Sequence, residues 1–202
     1  MSSAVAICNL ALSNIGKDNI SSLNEPTAEA RACNQFYDLT RDLLLQSYPW
    51  RFAGKTRALA ALANPEAGKW QFAYQRPNDC LKVLWLRPNY SEADPCFQTE
   101  QEEMANPYEI EQETIYANLD VAFIRYTSRI ADPSKYSPLF VDALAWHLAT
   151  RLAMPLTRDL KQRQGAYEVA RAMQAMAEMA DANETRHSSD HSTEFVTGRY
   201  HG

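Results

Sequence analysis

Glycine is scarce in this chain, 6 in 202 residues, and that scarcity excludes fibrous and low-complexity architectures. With 46% hydrophobic and 22% charged residues, the composition is that of a packed globular protein, long enough for one substantial core or for one domain with an inserted lobe. Cationic charge is short as well. Twenty Lys and Arg against 25 Asp and Glu give a net charge of -5, and so no basic excess with which to coat phosphate backbones. Sequence-specific nucleic-acid binding is therefore not expected. Long apolar runs are missing too: the best candidate, 143–156, is broken by His147, Arg151 and Pro155, well short of the roughly 20 residues that cross a bilayer. The N-terminus lacks the basic start of a secretory signal, and Asn9 interrupts its short apolar stretch. Cys8 after Val5-Ala6-Ile7 lies too near Met1 for lipoprotein cleavage, so the expectation is a chain that stays in the cytoplasm where it is made. The four cysteines, Cys8, Cys33, Cys80 and Cys96, have no C-x-x-C spacing for zinc or redox chemistry and read as buried thiols.

What the chain does contain is helical periodicity at both ends. Ala4, Ile7, Cys8, Ala11 and Ile15 recur on one face, predicting a helix from Ser3 to Ile15 with Gly16 as a left-handed stop. A second helix is expected from Asn24 or Glu25, with Pro26 in its first turn, along a stripe of Ala30, Cys33, Tyr37, Leu44 and Tyr48 to Pro49. Between Trp50 and Pro133 short β-type runs replace that spacing. Residues 81–86 read as a well-buried strand, 108–111 and 114–117 as a hairpin, and 121–130 as the longest strand, with Ala122, Ile124, Tyr126 and Ser128 opposite Val121, Phe123, Arg125 and Thr127. Ser137 before Pro138 should cap a third helix, central by its apolar breadth, which Pro155 should stop after Met154. Thr157 should then cap a fourth, 158–183, with Leu160, Tyr167, Ala170, Met173 and Ala177 inward. Beyond it a polar segment ends in Phe195, Val196, Arg199 and Tyr200, too little to build a core alone. The fold class expected is thus α+β. Residues 1–50 and 137–183 would form a four-helix bundle, 51–136 an inserted antiparallel β lobe, and 184–202 an extended, flexible tail.

Candidate chemistry is thin. Glu100, Glu102 and Glu103 precede Glu109, Glu111 and Glu113, and two carboxylates at the right separation can cleave a glycosidic bond. Glu109 and Glu111, however, fall on the polar face of an alternating strand, where a solvated role suffices. His187 and His191 have the i, i+4 spacing of a helical metal pair but lie in a segment without a helical stripe. His147, on the apolar third helix, reads as a hydrogen-bonded core or edge histidine. No G-x-S-x-G, Walker loop or dinucleotide fingerprint occurs, so no catalytic residue, cofactor site or metal site is assigned.

Four stretches in order resemble the head-to-tail adaptor of short-tailed bacteriophages, the tail tubular protein A family. They are ICNLALSNIGKDNISSLNEP running on to YPWRFA at 7–53, FAYQRPNDCLKVLWL at 72–86, YEIEQETIYANLDVAFIRYTSRIADPSKYSP running on to PLTRD at 108–159, and FVTGRYHG at 195–202. The resemblance covers roughly three fifths of the chain, and its specificity lies in the order. It implies a structural virion protein at the head–tail junction. Such a protein forms a ring, expected to be twelve-fold, beneath the portal protein, receives the tail nozzle protein on its other face, and lets DNA pass without sequence-specific binding. Independently of the resemblance, Phe195, Val196, Arg199 and Tyr200 are candidate assembly contacts, because apolar side chains on a tail that cannot fold alone gain burial by docking on a neighbour or on the portal. Here Gln112-Glu113 stands in a hairpin turn that would more comfortably hold Gly. The alternative function is a glycan hydrolase acting on cell-wall or capsular polysaccharide, on its own or as a secondary activity of the adaptor. A third reading is an interaction module with no phage role.

Overall fold

The computed structural model describes residues 3–65, 68–88 and 106–184. Its N-terminal helix α1 spans Ala4–Asn14, and Ser3 caps it by accepting the Ala6 N–H at 3.1 Å. Gly16, at φ +66°, closes it: the Gly16 N–H reaches the Ser13 carbonyl and the Lys17 N–H the Leu12 carbonyl, the 5→2 and 6→1 bonds of a Schellman end. Helix α2 spans Ala28–Ser47, starting later than expected. Pro26 lies outside the helix and Thr27 is the cap, because the Glu25 carboxylate accepts the N–H groups of Ser21 and Ser22 and holds the preceding residues in a turn of their own. A competing local bond moved the boundary.

Seven strands come next among the described residues, in two antiparallel sheets. In the first, β1 (Gly54–Ala58) and β4 (Cys80–Pro88) flank the central β7 (Ala122–Ser128). The second runs in the order β2 (Ala61–Leu62), β3 (Phe72–Gln75), β6 (Thr114–Ala117), β5 (Tyr108–Glu111). The expected hairpin is present as β5 and β6, with Glu111 opposite Thr114 and Gln112 in the left-handed region at φ +53°. Along β7 Ala122, Ile124, Tyr126 and Ser128 are all buried, and Thr127 from the opposite set is buried with them. Two strand expectations fail. The longest strand is β4, and it is an edge strand, half-buried over most of its length and bulged between Cys80 and Lys82 and between Val83 and Trp85. Its apolar run reflects contacts around an irregular edge, and not enclosure on both faces.

Helix α3 spans Pro138–Thr157 with Ser137 as its cap, and it continues through Pro155. A proline deprives only the carbonyl four residues back of its partner, here Arg151 in the last turns, and its fixed φ is itself helical. The end comes instead at Arg158, φ +55°, whose N–H returns to the Met154 carbonyl. Thr157 therefore belongs to α3, and Asp159 caps α4 (Leu160–Asn183) by accepting from Lys161 and Gln162. The inner face of α4 is made of Ala166, Ala170 and Ala177, whereas Leu160 and Tyr167 are 65% and 50% exposed. Tyr167 follows Ala166 by one residue, a rotation of about 100° that carries it off the alanine stripe.

Helix α3 is central: α1, α2 and α4 all pack on it, and Phe140, Leu144, Leu148 and Leu152 are fully buried in one cluster with Ile7, Leu12, Cys33 and Leu45. A second cluster joins the two sheets through Tyr74 and Ile115 from one and Leu86, Ile124 and Tyr126 from the other. The fold is thus α+β, four helices with two antiparallel sheets among the described residues. Where the chain passes between helices and strands, Trp50, Phe52 and Tyr136 pack around Phe140, Trp50 and Phe52 edge-on and Tyr136 tilted, with the Trp50 and Phe140 centroids 5.0 Å apart at 82°. Trp50 donates its indole N–H to the Leu44 carbonyl at 2.8 Å and Tyr136 its hydroxyl to the Ile130 carbonyl at 2.6 Å, so both polar tips are satisfied inside the core.

Candidate interaction surface

Of the carboxylates singled out by sequence, Glu109, Glu111 and Glu113 are described, and they have separate surroundings. Glu109 accepts from Lys69 Nζ at 2.5 Å and from the Trp70 indole at 2.8 Å, and these bonds hold its carboxyl below the usual range. It is a carboxylate at neutral pH, with no proton to give a leaving group. Glu111 and Glu113 stand exposed at the β5–β6 turn, without an ion pair to any described residue. Glu100, Glu102 and Glu103, the His187/His191 pair, Cys96 and the assembly contacts Phe195, Val196, Arg199 and Tyr200 lie outside the described residues. The other three cysteines are free and buried, as expected; a hydrogen bond with Cys33, together with burial, pushes the Cys8 thiol far up. Among the described residues no group of three or more His, Cys, Asp or Glu could hold a metal ion, and no helix is long and apolar enough to cross a membrane.

His147 is where its sequence context placed it, half-buried on α3, and its Nε2 donates to Gln174 Oε1 on α4 at 2.8 Å. Burial lowers its pKa. Gln174 in turn donates to Glu178 at 2.7 Å and to Ser47 Oγ at 3.2 Å, so one amide ties α3, α4 and the end of α2 together. This is a structural bridge between three helices.

Beside it opens a groove of about 480 Å³. Phe36 of α2, Met154 of α3 and Tyr167 of α4 supply its apolar walls, and the guanidinium-bearing Arg151 and Arg163 stand among them. Neither arginine pairs with a described carboxylate. The neighbouring hollow carries Leu43 and Ser47 of α2 along the same His147 and Arg151. A second, polar hollow of about 320 Å³ lies where α2 meets the sheets, between Gln46, Arg76, Arg129 and the Gln112-Glu113 turn.

Sequence reasoning missed three residues that hold this arrangement. Asn9, taken as an interruption of an apolar run, bonds the Ile20 N–H and carbonyl at 2.8 and 2.9 Å and so fixes the loop after α1. Arg41, 6% exposed, is gripped by Asp38 at 2.7 Å and Asp42 at 2.8 Å, and Asp42 also takes Arg129 at the end of β7, joining helix to sheet. The signal for Arg41 was available, since position 41 falls on the stripe of Tyr37 and Leu44 and a charge there requires partners. Ser128, which donates to the Ala53 carbonyl at 2.8 Å, offered no such signal. No family model and no characterised protein matches this chain.

Proposed function

We propose that this protein is the head-to-tail adaptor of a bacteriophage, a ring between portal and tail nozzle through which DNA passes. The observation that carries the reading is the meeting of the first and last described helices in one helical core. Helices α1 and α2 meet α3 and α4 around a shared cluster, and all seven strands fall between them in sequence. That is the layout which the four ordered motifs imply. In this reading residues 1–50 and 137–183 act as a four-helix bundle that seats the ring, 51–136 project as a β lobe, and 184–202 form an assembly tail whose contacts are Phe195, Val196, Arg199 and Tyr200. The acidic balance of the chain suits a channel that must not grip a phosphate backbone. Ring closure needs one interface repeated by rotation, and a template aligns subunits whose pairwise affinity is weak. The isolated protein is therefore monomeric or weakly associated, and it closes into a ring, twelve-fold by resemblance, on its portal.

Electron microscopy of the protein mixed with the portal protein of its own genome tests this. A closed ring on one face of the portal is expected; no attachment overturns the reading. A parallel assay on peptidoglycan and capsular polysaccharide should show no robust turnover. Turnover abolished by Glu111→Gln would move the function to the hydrolase.

A further inference from the structure

We infer that the groove between α2, α3 and α4 receives the β5–β6 hairpin tip of a second copy of this chain. The groove combines apolar walls with two guanidiniums that have no acidic partner among the described residues, so its complement is an apolar side chain flanked by carboxylates. The hairpin carries that set. Ile110 is 38% exposed on the edge strand β5, and Glu111 and Glu113 beside it are exposed and unpaired among the described residues. Leu39 and Leu43 fit less well, because Asp38 and Asp42 beside them are already spent on Arg41 and Arg129.

The hairpin cannot serve its own groove. Its Gln112-Glu113 turn sits against Gln46 and Arg76, and the Arg76 N–H is bonded to the Glu113 carbonyl at 2.7 Å. Phe36, at the groove, is ten residues back along α2 (46 minus 36), about 15 Å at 1.5 Å per residue. Held there, the tip is presented outward to another molecule. Groove and tip are different surfaces, so the contact is heterologous and propagates by rotation, as a ring requires. The inference rests on the ring reading for its biological meaning but not for its test.

The test mixes an Arg163→Cys chain with a Glu111→Cys chain, both carrying Cys96→Ser, at high protein concentration with a mild oxidant. The remaining thiols, Cys8, Cys33 and Cys80, are buried and do not compete. An interchain disulfide should form several-fold faster than in a control pairing Arg163→Cys with Lys17→Cys, and added salt should erase the difference. Equal rates overturn the proposal. A benzophenone amino acid at position 167 supplies the second reading: on irradiation it should join residues 108–113 of a second copy. Joining to residues 185–202, or to no second copy, overturns the hairpin as occupant. If the trap succeeds and the portal does not bind, the adaptor reading falls alone; if a portal ring forms without the trap, this interface falls alone.

Discussion

His147 is neutral by construction: burial on α3 beside Arg151 disfavours its charged form, while the bond it donates to Gln174 favours that form more weakly. Its folded pKa lies below the ordinary value near 6.5, so the unfolded chain takes up the proton first. Stability is then complete above that ordinary value and declines as pH falls through the lowered one. Thermal melts between pH 7.5 and 5.5 should show the midpoint dropping, and His147→Gln, which keeps a donor toward Gln174, should flatten the slope. Asp79 and Glu109 act lower, since Lys55 and Tyr126 hold the first and Lys69 and Trp70 the second below the usual range, and their contribution is lost only on further acidification. Gln112 is the second residue to test. A side chain at φ +53° costs roughly 1 kcal/mol that glycine does not, so Gln112→Gly should raise the melting temperature by about 2 °C, and a fall would refute the turn geometry. Both residues drew notice in the sequence, but only half of each story was legible. An apolar helix announced a buried histidine; its partner lies 27 residues away and no local pattern names it.

At the scale of elements, what was legible is what the backbone settles within four residues. Ser137 caps the helix it was expected to cap and Gly16 ends α1, because each bond is made to a neighbour in sequence. The misplaced boundaries at Pro26 and Pro155 arose where two local signals competed, a carboxylate-closed turn in one case and an already established helix in the other. The inner face of α4 was read too large, since Leu160 and Tyr167 are stronger hydrophobes than Ala166 and Ala170 yet stand outside. Small residues let α3 and α4 approach closely, and area per side chain is then a poor guide to which one is buried. Ala170 is completely buried in that contact. Ala170→Leu should cost about 1–3 kcal/mol through overpacking, a drop of several degrees in the melting temperature, while Ala175→Leu on the exposed side should cost almost nothing. Similar losses at both positions would mean that α4 is rotated from the orientation described.

For the whole molecule, the alternation of helix pair, strands and helix pair was enough to place two cores, but not to order the strands. Sheet order depends on which of several short runs pair at long range. Thr56 of β1 and Arg125 of β7 are partners across 69 residues of chain, a pairing that no local pattern names. Among the described residues the helical core reaches no further along the chain than Ala177. In the adaptor reading, stability resides in residues up to 183 and assembly in residues 184–202. Phe195, Val196 and Tyr200 could bury apolar area against the portal, and at about 25 cal/mol per Å², with roughly 150 Å² for each aromatic, that would offset the few kcal/mol of ordering a terminal segment. Deleting residues 184–202 should leave helical circular dichroism and the melting temperature nearly unchanged while reducing the fraction of portal particles that carry a ring. Restoring the segment with Phe195→Ala and Tyr200→Ala should leave the defect in place, because the aromatics and not the length of chain supply the contact. A truncated chain that decorates the portal as fully as the intact one would remove the tail from assembly, and one that melts early would show that it completes its own subunit's core.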